Sequence, residues 1–387
     1  MTPAARVSAA IEVLDAIFAG DPAEKALTGW GRAHRFAGSK DRAAIRDHVF
    51  QALRCRASYG WLGGAETGRG VMLGAARAAG QQDAWFSGEG HGPMPASDDE
   101  IGQDLATAPR AVQLDMPDWL LPHFDTSCGA KADAVLAALQ TRAPVFLRVN
   151  VVKCDIATAA ASLEAEEITN RAVEGVKNAL QVVENERRIG QSQAYLSGLV
   201  ELQDASSQAA MSRLGDIAGL RILDYCAGGG GKALALAAQG ADVTAHDIDP
   251  RRMKDIAPRA ARAGVSIACV DTADLPKMPA FDVVLCDAPC SGSGTWRRTP
   301  MAKWALTPER LLELTQMQDT VLSDAAPLVA AGGRLAYATC SVFDVENKTR
   351  VQDFTRHKSH FDLCDEMLRL PTDTGDGFYF AVLSKAL

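Results

Sequence analysis

Apolar residues recur at helical spacing at the beginning of the chain. Val7, Ile11, Leu14, Ile17 and Phe18 share one side of a 3.6-residue repeat, which predicts helix through residues 5 to about 60. A polar bend at Gly38 and Ser39 divides this start from a second helix that ends near Tyr59. Residues 87–100, SGEGHGPMPASDDE, are rich in Gly, Pro and acid and read as a surface loop. After Pro144 the period changes. VFLRVNVV reads as a strand, Ala157 to Glu166 as a helix and Ala179 to Val183 as another strand. With the turn-rich stretch from Arg188 to Gly198 they make a small α+β module. Beyond Leu220 the pattern becomes regular. Strands at Arg221–Cys226, Asp242–Ile248, Ser266–Val270, Phe281–Ala288 and Arg334–Thr339 alternate with helices at Lys232–Gln239, Arg251–Ala263 and Pro308–Ala326, the last stopped by Pro327. That alternation predicts a parallel, doubly wound α/β sheet. Phe361–Cys364 and Gly377–Lys385 are expected to add a strand pair at its edge. No internal repeat is present. The expected division is a helical domain over residues 1–130, a small α+β extension over 131–210 and an α/β domain over 211–387.

A length of 387 residues suits two or three domains with ample core. No apolar run reaches the roughly 18 residues of a membrane span, so no membrane partner is expected. Glu12 and Asp15 interrupt the apolar start, which therefore reads as a folded amphipathic helix and not a signal peptide. Nine cysteines without a C-x-x-C pair fit a reducing, cytoplasmic setting. Cys286 and Cys290 are four apart, but no histidine pair or second cysteine pair accompanies them, and no metal site is expected.

The formal net charge of −8 argues against bulk electrostatic coating of nucleic acid. Its distribution is uneven. Arg35, Lys40, Arg42, Arg46, Arg54 and Arg56 stand against only Asp41 and Asp47, whereas Glu89, Asp98, Asp99, Glu100 and Asp104 crowd a later segment. The basic stretch is either a local phosphate-binding face or a solvated helix surface.

The candidate chemistry collects at strand ends. LDYCAGGGGKA, from Leu223 to Ala233, reads as a strand running into a glycine loop and a helix, where backbone N–H groups can approach a ligand. It is not a phosphate-binding P-loop, because Cys226 stands where that motif wants Gly and Ala233 replaces its Ser/Thr. About twenty residues on, Asp247 ends the second strand and can accept both hydroxyls of a ribose. Asp249 instead caps the helix opening at Pro250. Asp271 ends the third strand, within reach of an adenine amino group. Cys290, in FDVVLCDAPCSGSGTW, and Cys340, closing GRLAYATC, sit at the carboxyl ends of neighbouring strands, which brings two thiols to one lip of the sheet. Glycine loop, acidic strand ends and paired thiols together suggest an adenosyl-cofactor transferase working through a cysteine adduct. A thiol is needed when the methyl acceptor is a pyrimidine carbon without a lone pair. Thiolate addition at carbon 6 makes carbon 5 nucleophilic.

Residues from about Pro144 onward resemble the ribosomal RNA cytosine-5 methyltransferases of the Fmu/Sun (RsmB/NSUN) family. The resemblance is carried by VELQDASSQAA from Val200, DYCAGGGGK from Asp224, DAPCSGSG from Asp287, RRTPMAKW from Arg297, TCS from Thr339 and GDGF from Gly375. It implies a Rossmann-like S-adenosylmethionine-dependent methyltransferase sheet, preceded by a ferredoxin-like α+β extension and an antitermination-factor-like helical RNA-binding domain. By resemblance, Cys340 is the nucleophile and Cys290 assists product release. Cys226, Ala227, Gly228, Gly229, Gly230, Gly231, Lys232, Asp247, Asp271 and Asp287 would surround S-adenosylmethionine, with Asp287 also facing the cytosine. Lys232 either approaches that site or is solvated. Arg297, Arg298 and Lys303 would meet RNA phosphates beside the flipped base. One departure stands out: the usual loop C-A-A-P-G-G-K-T is here C-A-G-G-G-G-K-A, and the lost proline leaves a less preorganised loop. The implied partner is ribosomal RNA. Transfer RNA as substrate, a non-catalytic RNA-binding protein, and a nicotinamide oxidoreductase reading of Gly228, Gly230 and Ala233 are the rivals. The last leaves the thiol pair unexplained.

Overall fold

In the computed structural model, which describes residues 1–387, the first apolar repeat folds into helix α1 (Pro3–Phe18), with the Thr2 side chain accepting the Ala5 amide as N-cap. Helices α2 (Ala23–Ala33), α3 (Ser39–Arg54), α4 (Arg56–Gly63) and α5 (Gly68–Ala78) follow. The break at Gly38 falls where the polar bend placed it. Further breaks, at residues 19–22 and at Cys55, make four helices where two are expected. Val7, Leu14, Ile45, Val49, Leu53, Val71 and Leu73 form a shared core. These helices belong to a unit made of Met1–Asp125, Gly129–Arg142 and Trp296–Ala305.

The inclusion of Trp296–Ala305 corrects one expectation. Arg297 and Lys303 are each only 1% exposed, so neither is presented to a phosphate. The Arg297 carbonyl accepts Arg54 Nε at 2.7 Å, and Lys303 Nζ donates to the Arg54 carbonyl at 2.8 Å. Burial pulls the Lys303 ammonium down to about 8, against the opposing charge of Asp115. Arg298 alone of the three is exposed. Asp115 is itself buried and accepts the Ser58 amide, the Ser58 hydroxyl and Gln140 Nε2.

The other unit, Thr126–Cys128, Ala143–Thr295 and Leu306–Leu387, contains two sheets. The smaller is antiparallel, in the order β2 (Asn170–Ala172), β3 (Ala179–Val182), β1 (Val145–Val149), β4 (Val200–Leu202). Helix α6 (Ile156–Glu164), capped by Asp155, packs its Ala159 and Leu163 into that sheet's core.

The larger sheet has seven strands in the order β10 (Phe361–Arg369), β11 (Phe378–Lys385), β9 (Val329–Thr339), β8 (Phe281–Asp287), β5 (Arg221–Asp224), β6 (Asp242–Ala245), β7 (Ile267–Cys269). β7, β6, β5, β8 and β9 are mutually parallel. β11 runs antiparallel to both of its neighbours. The pair adds to the edge of the sheet as expected, with β10 outermost and β11 against β9, where FYFAVL from Phe378 is apolar on both faces and buried throughout. Alternation along β8 supplies both layers: Val284 and Cys286 join one core, Val283 and Leu285 the other. Helices α7 (Ala205–Ser212), α8 (Gly231–Ala237), α9 (Ile256–Ala263), α10 (Pro308–Ala325) and α11 (Lys348–His357) cover the faces. Chain order reverses between β5 and β8. Their carboxyl ends therefore open a cleft, the place where open parallel sheets bind ligands. No helix is long and apolar enough to cross a membrane.

Candidate active site

At that reversal the chain leaves β5 through Tyr225 and Cys226 into the glycine loop. Gly228 and Gly230 take left-handed conformations, with φ of +49° and +78°. A Cβ on Gly230 would meet Ile256 Cγ1 at 2.7 Å, so this glycine is required by packing against α9. The loop is tied to the second strand end. Asp247, buried to 1% exposure, accepts the Gly228 amide at 2.9 Å, the Asp249 amide at 3.0 Å and Arg252 Nη1 at 2.9 Å. Its carboxylate thus orders the loop that lacks the proline.

β8 ends at Asp287, and β9 at Thr339. Their parallel register, with Asp287 opposite Ala338, sets the two following loops side by side. Cys290 Sγ and Cys340 Sγ are 3.3 Å apart. Lys232, from the first turn of α8, reaches across to Asp287 with Nζ–Oδ2 of 2.6 Å. Burial works against the Lys232 charge, but Asp287, with Asp224 behind it, holds the ammonium above its usual range. The thiols are electrostatically unequal. The hydrogen bond from Cys290, with Lys232 and Thr295 nearby, lowers Cys340 despite burial and the Asp287 charge. Cys290 is raised by its bond to Cys340, by burial and by the Glu346 carboxylate. Of the two, Cys340 is thus the thiol whose deprotonation this environment favours.

A cavity of about 1070 Å³ opens on this group. Its walls include Cys226, Ala227, Gly228, Gly229, Gly231, Lys232, Asp247, Asp287, Cys290 and Cys340. Two of the expected cofactor residues are absent from those walls. Gly230 faces Ile256, as above. Asp271 lies two residues beyond the end of β7, exposed, in a turn where its carbonyl accepts the Asp274 amide. The neighbouring Thr272 hydroxyl instead bonds His246 Nε2 at 2.8 Å. Four strands, β5, β6, β8 and β9, reach the site with their tips, whereas β7 stops short because only Ile267–Cys269 pair with β6.

Sequence reasoning passed over Asp224, the last residue of β5. It is 1% exposed and neither carboxylate oxygen has a well-formed hydrogen bond. Burial, with the charges of Asp287 and Asp247, pushes its carboxyl up to about 7, while Lys232 and the Ala233 amide partly offset the rise. The signal was present in LDYC, an acid at a strand end immediately before the glycine loop. Two further motifs also acquire a reason. A Cβ on Gly294 would lie 2.5 Å from the Gly377 carbonyl, and the Gly377 amide donates to the Gly294 carbonyl. GDGF thus packs directly against the loop of Cys290, while the Asp376 amide donates to Asp204 of the QDASS segment.

Known proteins share both the sequence and the architecture. Residues 214–383 match the family model described as 16S rRNA methyltransferase RsmB/F, and residues 116–187 match the ferredoxin-like domain of RsmF/B-like methyltransferases. Over 286 residues the chain is 32% identical to the ribosomal RNA small subunit methyltransferase B of Escherichia coli O157:H7 and to its namesake from Enterobacter sp. strain 638. In each case that is 70% of this chain, and it spans 66% of the relative's length. The crystal structure of PH0851 superposes over 100% of this chain and 99% of its own, with TM-score 0.79 and 22% identity. A methyltransferase homolog protein from Pyrococcus horikoshii covers 71% of this chain and 97% of its own, with TM-score 0.63 and 22% identity. The larger sheet is accordingly a Rossmann-like S-adenosylmethionine-dependent methyltransferase sheet, and the chain belongs to the RsmB/F family of methyltransferases.

Proposed function

We propose that this protein transfers a methyl group from S-adenosylmethionine to carbon 5 of a cytosine in small-subunit ribosomal RNA, in the cytoplasm, through a covalent adduct with Cys340. The observation that carries this reading is the thiol pair, 3.3 Å apart at the ends of adjacent strands, with Lys232 and Asp287 beside it. An N-methylating or hydride-transferring site has no use for two thiols in contact. The names of the relatives support ribosomal RNA as the substrate.

The residues present fit the cofactor. Asp247 and Asp287 place two carboxylates in the walls of the cavity that the glycine loop lines, and Asp224, buried behind Asp287, lacks a well-formed donor. A ligand carrying an ammonium, a sulfonium and a ribose diol meets that set with the right charges and donors. Asp247 would hold the ribose, and the loop amides the amino acid end. S-adenosylmethionine supplies an electrophilic methyl group. The flipped cytosine would enter beside Asp287, whose free capacity faces the ring's N3 edge. The Cys340 thiolate would add to carbon 6, and the electron density raised at carbon 5 would take up the methyl, the broken methyl–sulfur bond leaving its electron pair on the neutral thioether of S-adenosylhomocysteine. The carbon 5 proton then leaves, its electron pair rebuilds the ring double bond, and the carbon–sulfur bond breaks to return Cys340 as thiolate. Cys290, bonded to that sulfur, assists the release.

A denaturing gel of each cysteine variant after incubation with RNA and S-adenosylmethionine tests the roles. Cys290→Ala should trap a slow-migrating covalent protein–RNA band, and Cys340→Ala should give neither band nor methylation. A band in Cys340→Ala alone would reverse the assignment. No adduct in either variant would reject the cysteine mechanism.

A further inference from the structure

Between the two cysteine loops lies a carboxylate that the chemistry above does not use. Glu346, in the turn before α11, is fully buried. Its Oε1 accepts the Ser291 amide at 2.7 Å and Gln318 Nε2 at 3.1 Å. Its Oε2 accepts the hydroxyls of Ser291 and Ser341, each at 2.5 Å. Ser291 follows Cys290 in the chain, and Ser341 follows Cys340. One carboxylate therefore holds the residue next to each thiol. Gln318, from α10, spends its other amide hydrogen on the Pro289 carbonyl at 2.9 Å, fixing the residue before Cys290 as well. Glu346 is itself anchored from behind, by the Tyr337 hydroxyl donating to its carbonyl at 2.7 Å.

Packing alone does not account for such a residue. A buried carboxylate costs several kcal/mol to desolvate, and an apolar side chain would fill the turn without that penalty. What the carboxylate gains is four donors, three of them on the two loops that carry the thiols.

We propose that Glu346 is a positioning residue: it clamps the Cys290 loop to the Cys340 loop and so sets the 3.3 Å separation of the two sulfurs. The proposal rests on the cysteine-adduct reading for its catalytic consequence. Its geometric content does not.

Glu346→Gln keeps the volume but puts an NH₂ donor where an oxygen accepted hydrogens, so some of the converging donors must turn away. Two measurements on the full chain follow. The first is the effective concentration of Cys290 and Cys340 toward each other in glutathione buffers, with the bridge mapped by mass spectrometry against the other free cysteines. Here the two thiols give two electrons and two protons to glutathione disulfide, which leaves as two glutathione thiols. This needs neither RNA nor cofactor. It should fall about tenfold or more in Glu346→Gln, because held groups lose effective molarity when released. The second is steady-state methylation: kcat should fall roughly ten- to hundredfold, with KM for RNA and cofactor affinity unchanged. Ser291→Ala and Ser341→Ala, each removing one tie, should fall between, and they decide the matter if Glu346→Gln does not fold. An unchanged effective thiol concentration in the folded variants overturns the proposal. So does a loss of kcat matched by equal losses of cofactor affinity and unfolding midpoint. Should the native protein methylate no RNA, the functional reading fails while the thiol measurement still decides the clamp.

Discussion

The charge of Lys232 acts on Cys340 and that of Glu346 on Cys290, and this asymmetry has a pH signature. Cys340 lies below the ordinary thiol range, so its reactive thiolate is present above that lowered value and lost as pH falls through it. Lys232→Met removes a cation and leaves Asp287 without its 2.6 Å partner; both changes disfavour the thiolate. The acidic limb of kcat/KM, which reports the free enzyme, should move to higher pH. A limb that stays in place would show that Lys232 does not set the thiol. Asp247 offers a second test. Asp247→Ala should weaken S-adenosylmethionine binding roughly ten- to hundredfold, since charge-assisted hydrogen bonds contribute about 1.5–3 kcal/mol each. The variant also frees the Gly228 amide that the carboxylate now holds. Calorimetric titration giving unchanged affinity in the folded variant would reject the assignment. The motif-borne residues Asp247, Asp287, Cys290 and Cys340 could be read locally and meet at one cavity, whereas Asp271 falls short of it. Asp224 is marked by burial without a well-formed donor and Glu346 by partners drawn from positions as far as 28 and 55 residues away, neither of which a local pattern displays.

At the scale of elements, alternating apolar patterns located the strands of the larger sheet to within a few residues. They also placed the terminal strand pair at the edge of the sheet, with β10 outermost and β11 against β9. They failed where a segment's partners are remote, as in the basic helix α3. Charges at helical spacing suggest a solvated or RNA-facing surface, yet Arg54 is buried against the carbonyl of Arg297, 243 residues on, and Arg46 is paired with Glu24. Arg42 donates to the Ala37 carbonyl, and Arg56 to Glu66. Arg32, Arg35 and Lys40 stay outside such pairs, around the α2–α3 corner, where Trp30 stacks on His34 and Phe36 is 72% exposed. Cations beside aromatic rings at a surface suit single-stranded RNA. Changing Arg32, Arg35 and Lys40 to Gln should weaken RNA binding and flatten its salt dependence, by about 0.7 in log–log slope for each phosphate no longer neutralised. The Arg42/Arg46 double variant should change the slope little. The opposite ranking would return RNA binding to the face of α3.

For the whole molecule, a net charge of −8 means that RNA must be held by local groups against a repelling background. The cofactor faces no such conflict. It enters a cleft of carboxylates within one of the two compact units, and its effects should be confined there. S-adenosylhomocysteine, which lacks the sulfonium but keeps the ribose diol and ammonium, separates those contributions. At a concentration about one hundred times its Kd it should stabilise the folded state by about 2.7 kcal/mol. Hydrogen exchange should slow at residues 224–232, at 246–252 and at 287–290, three of the four strand ends that meet the cavity. Exchange in α1 and α3 should stay as it was, because their core shares no residue with the cavity walls. Added S-adenosylmethionine should protect the same segments further, since Asp287 then faces a sulfonium as well as an ammonium. Protection that spreads evenly over all helices, or that leaves the glycine loop exchanging at its free rate, would mean that the cofactor is held elsewhere.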